Sequence, residues 1–227
     1  MYKADWKFAK LSVNPMVGPS VEALIDSGAK VSHLIVAGEE WRLLSTMALH
    51  AGIVHLFLNM LLVYRFGMDF EKDIGWLRLA LVYVPSGVFS TVVSAVFLPH
   101  QVTVGASGAI FGIFGATTCW RLVSPPQALL SLTLSTLLNL GIGLLPIVDN
   151  FAHASGLISG LLLGTIVLIR PPPEDGKPHP ILHCRQLCVA ITCGVIWLLA
   201  AATFTIMLFA KVNTSDCHWC RYVSCLP

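Results

Sequence analysis

Apolar residues run almost unbroken through five stretches of this chain: Leu43 to Tyr64, Leu79 to Leu98, Gln127 to Val148, Asn150 to Ile169 and Gln186 to Ala210. Each approaches or exceeds the ~20 residues an α-helix needs to cross a hydrocarbon layer. A sixth stretch, Val102 to Trp120, is glycine-rich and weaker by hydropathy. Its first residues, Thr103 to Ala106, read as a loop entering the membrane, with a helix starting at Ser107. Irregular backbone at that depth is tolerated only where protein or a water-filled cavity covers it. Pro125-Pro126 and Pro171-Pro172-Pro173 are breakers that end or precede helices. The pattern predicts an all-α, polytopic membrane bundle of about six transmembrane helices. It divides into a polar segment with an interfacial loop over 1–42, a transmembrane region with a C-terminal extra span over 43–210, and a cysteine-containing tail over 211–227.

Composition identifies the solvent. Of 227 residues, 56% are hydrophobic and 11% charged, and the mean hydropathy is +0.77. A soluble domain of that size cannot hide so much apolar side chain, so lipid surrounds much of it. The net charge is +2 and the basic residues are scattered, which excludes the concentrated basic stripe of a nucleic-acid binder. The first forty residues hold no apolar core of signal-peptide length, so targeting falls to a transmembrane helix. Arg65, Lys72, Arg78, Arg121, Arg170, Lys177 and Arg185 fall in alternate loops, while Pro99 to Gln101 and Val148 to Asn150 contain no Lys or Arg. The positive-inside bias makes the basic loops cytoplasmic and puts both termini on the lumenal or extracellular side. Lys3, Lys7, Lys10, Lys30 and Arg42 then lie where basic residues are disfavoured.

Cysteines divide into two groups. Cys119, Cys184, Cys188 and Cys193 lie in or beside apolar runs and read as small buried hydrophobes. Cys217, Cys220 and Cys225 sit in the tail, where three thiols make either an incomplete zinc site or a disulfide with one thiol left over. His179, His183 and Cys184 read as a solvated loop beside a proline-rich turn rather than as metal ligands. No metal or other cofactor is expected.

The chemistry lies inside the apolar runs. His55 and Asn59, four apart, share one helix face, and His50 lies just upstream. A face of this kind serves either interhelical hydrogen bonding or a reaction. Gly105-Ala106-Ser107-Gly108 favours the second. Between glycines at a helix start, the Ser107 hydroxyl is unobstructed and its N–H is one of the unpaired first-turn donors. An attacking oxygen beside fixed donors is what a tetrahedral oxyanion requires. Ala152, Gly156, Gly160 and Gly164 recur every four residues, and Gly108, Gly112 and Gly115 make a comparable surface. Such stripes let helices approach closely, bringing His153 towards Ser107 as its base. Asp149 reads either as a third triad member or, better, as an N-cap at the membrane face. Trp41-Arg42 reads as an interfacial anchor with a snorkelling guanidinium.

In order and spacing, Trp41-Arg42, His50-x4-His55-x3-Asn59, Gly105-Ala106-Ser107-Gly108 and Ala152-His153-x2-Gly156 resemble the rhomboid intramembrane serine proteases, and most closely the plant rhomboid-like proteins. The likeness extends from Asn14-Pro15-Met16-Val17-Gly18-Pro19-Ser20 to the tail. It implies Ser107 as nucleophile and His153 as general base, a dyad without an acidic third member. It also implies an oxyanion hole from Asn59, His55 and the Ser107 N–H, supported by His50 and Gly105, and an aromatic at Phe111 stacked on the catalytic imidazole. The expected partners are transmembrane protein substrates and the bilayer, and the expected location is a secretory-pathway membrane, Golgi or plasma membrane. Rhomboids of this kind carry a helix ahead of the Asn14-Pro15 region, so the chain is expected to be N-terminally shortened. Two rivals remain: a pseudoprotease that binds membrane clients without cutting, and a small transporter. The transporter is disfavoured because the predicted spans contain no Asp or Glu.

Overall fold

The computed structural model describes residues 7–121, 126–142, 148–169 and 180–210, and the tail cysteines and His179 lie outside them. The polar N-terminal segment folds into short helices before any span begins. Ser20 accepts the Ala23 N–H at 3.3 Å and starts α1 (Val21–Ser27), which Gly28 ends at φ 110°. Then come α2 (Ser32–Val36) and α3 (Arg42–Ala48). Leu49 turns extended and the helical run stops. The first span therefore does not begin at Leu43, as hydropathy suggests. It begins at Ile53 with α4 (Ile53–Leu62), passes through a wide turn at Val63–Gly67 and ends with α5 (Met68–Ile74). A hydropathy window cannot see a break made among uncharged residues. Asp69, Glu71 and Asp73 thus fall in the last turns of a span, correcting the expectation that none holds an acidic residue.

Among the described residues, four helices are long and apolar enough to cross a bilayer: Ile53–Ile74, α6 (Trp76–Phe97), α9 (Asn150–Val167) and, within α10 (Pro180–Phe209), Cys184–Phe209. α7 (Ser107–Arg121) and α8 (Pro126–Ile142) are shorter. At 15 residues, α7 measures only about 22 Å against the ~30 Å of a hydrocarbon core. His183 and Cys184 belong to α10 rather than to a loop, and Cys184 and Cys188 are exposed rather than buried.

α6, α7 and α9 pack against one another, and α10 flanks α9 and α6. Contact is at backbone level. A Cβ added at Gly156 would fall on the Gly108 carbonyl, one at Gly160 on the Gly112 carbonyl, and one at Gly164 2.8 Å from the Ala116 Cα. α6 contributes small residues to the same seam: a Cβ on Gly108 would strike Ser90, and one on Gly112 would strike Ser86. Ser86 and Ser159 hydroxyls pair at 3.0 Å, and Trp197 of α10 donates to Ser159 at 2.8 Å. Where lipid removes the hydrophobic drive between helices, such close packing and hydrogen bonding hold the bundle.

Arg42 does not snorkel. It is 4% exposed and donates to the Ile25 and Ala29 carbonyls at 2.7 and 2.9 Å and to Glu39 at 2.7 Å, closing the N-terminal segment on itself. Trp41 is the exposed member of the pair.

Lys30, outside the spans, is fully buried and donates to the Leu98 and Gln101 carbonyls at 3.0 and 2.9 Å. Burial pushes its ammonium down to about 8, opposed by the Asp149 carboxylate. Between pH 8 and the ordinary lysine value, the unfolded chain keeps a proton that the folded chain has released. Stability contributed through Lys30 therefore rises with pH across that window. The neutral amine retains two N–H donors for its two carbonyls. The unfolding midpoint of wild type in detergent, minus that of Lys30→Met, should increase from pH 8 to pH 10. A difference that stays flat or falls contradicts the burial argument.

Candidate active site

Ser107 is the first residue of α7 and is half-buried. The loop before it is irregular: Gly105 sits at φ +129°, a conformation that favours glycine, and its N–H donates to the Thr46 carbonyl at 2.9 Å. The glycine is needed twice over, because a Cβ there would lie 2.8 Å from Cε1 and 3.0 Å from Nε2 of His55. The serine loop and the His55 ring are therefore in direct contact.

The tautomer of His55 follows from its other nitrogen. The Ala51 N–H donates to Nδ1 at 3.3 Å. Nδ1 is then the acceptor and a neutral ring carries its proton on Nε2, the nitrogen beside Gly105. His50 meets His55 edge to face, with ring centroids 5.4 Å apart, and its own buried Nε2 has no partner. Asn59 is buried one turn further along α4. Its amide donates to the His55 carbonyl at 2.9 Å, which leaves one N–H uncommitted, and its Oδ1 is buried without a partner. The two side chains do share a face, but the Asn59 bond is within its own helix rather than between helices.

His153 lies in the first turn of α9, buried, and stacks on Phe111 with centroids 4.4 Å apart and planes 15° off parallel. That fixes the ring against α7 one turn beyond Ser107. The neighbouring residues meet too: the Cβ direction of Gly108 faces the Ala152 carbonyl at 3.5 Å. Asp149 is not a third triad member. One carboxylate oxygen caps α9 by accepting the Ala152 N–H at 2.9 Å, and the other accepts the Ser94 hydroxyl. His153 Nδ1 is buried without a hydrogen-bond partner. Among the described residues no hydrogen bond joins Ser107 to His153.

All six residues singled out from sequence thus fall at one end of the bundle, where α4, α7 and α9 begin. Sequence reasoning missed the residues around them: Lys30 and Thr46, which hold the serine loop, and Ser94, which takes the second oxygen of Asp149. Ser86, Ser90 and Ser94 recur every four residues in α6, a signal of the kind used for the glycines. Nothing local marks Lys30 or Thr46.

A family model described as "Rhomboid domain" matches residues 37–170. Among curated proteins, the chain is 37% identical to RHOMBOID-like protein 4 of Arabidopsis thaliana, over 98% of its own length and 60% of that protein's. It is 38% identical to RHOMBOID-like protein 6, mitochondrial, covering 98% of this chain and 78% of that one. It is 32% identical to Inactive RHOMBOID-like protein 8, with 98% and 70% covered, both from the same plant. A helical membrane bundle matched over most of its spans, with relatives this similar along nearly the whole chain, belongs to the rhomboid family.

Proposed function

We propose that the protein is an intramembrane serine endopeptidase that cleaves transmembrane segments of other membrane proteins through Ser107 and His153. A relative named inactive is among those it resembles, so family membership alone does not establish hydrolysis. The observation that carries the reading is the His153 ring stacked on Phe111, one turn from a serine at a helix start whose loop touches His55. That arrangement suits acyl transfer.

In the proposed reaction, the Ser107 oxygen attacks the scissile carbonyl carbon and its proton passes to His153. The carbonyl π electrons move onto oxygen. That oxyanion accepts hydrogen bonds from the Ser107 N–H, the free amide N–H of Asn59 and His55 Nε2–H, donors of the kind worth several kcal/mol in such sites. Collapse of the intermediate breaks the C–N bond, His153 protonates the leaving amine, and water hydrolyses the acyl-enzyme by the same route. His50 supports His55, and Gly105 leaves room for its ring.

Covalent labelling tests this. A fluorophosphonate should modify Ser107 in the wild-type protein, and Ser107→Ala and His153→Ala should abolish labelling. Labelling that persists in Ser107→Ala overturns the assignment. Wild type that takes no label, though folded and membrane-inserted, favours the client-binding alternative. The chain is an integral membrane protein, and we place it in a secretory-pathway membrane, Golgi or plasma membrane. One relative carries "mitochondrial" in its name, and imaging of a tagged chain in cells separates the two locations.

A further inference from the structure

The loop from Leu98 to Gly105 delivers Ser107, and it is not regular structure. Five of its backbone polar atoms are held by two residues of the N-terminal segment. Lys30 Nζ donates to the Leu98 carbonyl at 3.0 Å and to the Gln101 carbonyl at 2.9 Å. The Lys30 backbone exchanges both hydrogen bonds with Thr103, at 2.9 and 3.3 Å. The Thr46 hydroxyl donates to the Thr103 carbonyl at 2.8 Å, and the Thr46 carbonyl accepts the Gly105 N–H at 2.9 Å. Lys30 is itself fixed on both sides, by Arg42 on the Ala29 carbonyl at 2.9 Å and by Ser32 on the Ala95 carbonyl of α6 at 2.9 Å. The carboxylate that favours its charged form is that of Asp149, the N-cap of the helix that carries His153.

A lysine in this position is unexpected on stability grounds. Lysine normally keeps its head in water, and burying an ammonium carries a desolvation penalty that an apolar side chain of similar length avoids. What methionine cannot do is grip two carbonyls of one loop. From this geometry we infer that Lys30, with Thr46, is a positioning residue for catalysis: it sets the register of the loop that presents Ser107 to His153 and to the oxyanion donors. The inference rests on the proposed function. Lys30 touches no reacting atom and acts through the loop.

The test uses the full chain in proteoliposomes with a reporter transmembrane substrate, active sites being counted by fluorophosphonate titration. Lys30→Met should fold, with an unfolding midpoint at pH 7 no lower than wild type. Its kcat per titrated site should fall about tenfold or more, since displacement by ~1 Å can reduce a rate by about a hundredfold. KM should not change, because a displaced nucleophile slows the chemical step rather than substrate binding. Thr46→Val removes one hydroxyl and keeps the shape, and should show a smaller kcat loss with KM again unchanged. Wild-type kcat per site in Lys30→Met overturns the inference, as does a loss that appears only as fewer titratable sites. Should Lys30→Met fail to fold, Thr46→Val decides, and wild-type turnover in that variant overturns it. Failure of the underlying reading looks different: the wild-type protein itself then takes no label at Ser107.

Discussion

Ser107→Ala should leave a folded, membrane-inserted protein that no longer cleaves a reporter transmembrane substrate. The fold has little to lose. Ser107 is half-buried at the first position of α7, and its hydroxyl makes no hydrogen bond to any described residue. Alanine is the best helix former, and Ala106 and Gly108 on either side show that small side chains suit the site. The proposed chemistry loses its nucleophile. Removing a serine nucleophile from a hydrolase lowers kcat by on the order of a millionfold, which places residual cleavage below detection. The measurement is cleavage at matched protein levels, with the unfolding midpoint as control. Cleavage at even a tenth of the wild-type rate, with an unchanged midpoint, would remove Ser107 from the mechanism.

The candidate site residues are conspicuous in the sequence because polar side chains stand out at membrane depth. Ser107, His153, His55 and Asn59 stand out against apolar neighbours, and glycines every four residues announce where helices touch. Asp149 as a cap was legible too, since an acidic residue three positions before a backbone N–H it can accept is a local pattern. The start of the first span was not. Leu49 to Gly52 breaks the helix without a charge or a proline, and the break is sealed from far away by Met16 and Val17, whose carbonyls accept the first N–H groups of α4 at 3.2 and 3.1 Å. Arg42 was misread for a related reason. An arginine beside an exposed tryptophan at a membrane face suggests snorkelling, and only the folded N-terminal segment supplies the carbonyls that bury it. Lys30 and Thr103 pair across more than seventy intervening positions, and no periodicity in the sequence reports a contact of that kind.

Gly160→Leu should abolish cleavage of the reporter substrate without altering a single group in the proposed reaction. A Cβ on Gly160 falls on the Gly112 carbonyl, and the same holds one turn away for Gly156 against Gly108. These are backbone atoms, which cannot rotate aside as a side chain would, so α9 must move away from α7. His153 lies seven residues from Gly160 on that rigid helix, roughly 10 Å along its axis, and is carried with it. Its stacking on Phe111, one turn from Ser107, depends on the two helices keeping their distance. A shift of ~1 Å is enough to lower kcat by about a hundredfold. Labelling of Ser107 should slow in parallel, because that reaction needs the same base. Gly141→Leu is the control: nothing lies within 4 Å of the Cβ position there, so its kcat should stay within about threefold of wild type. Gly160→Ala should fall between the two, since one carbon already meets the Gly112 carbonyl. Measuring kcat and the labelling rate in all three variants separates a specific seam from a general intolerance of larger residues. Wild-type values in Gly160→Leu would show that the glycine seam does not set the distance between Ser107 and His153.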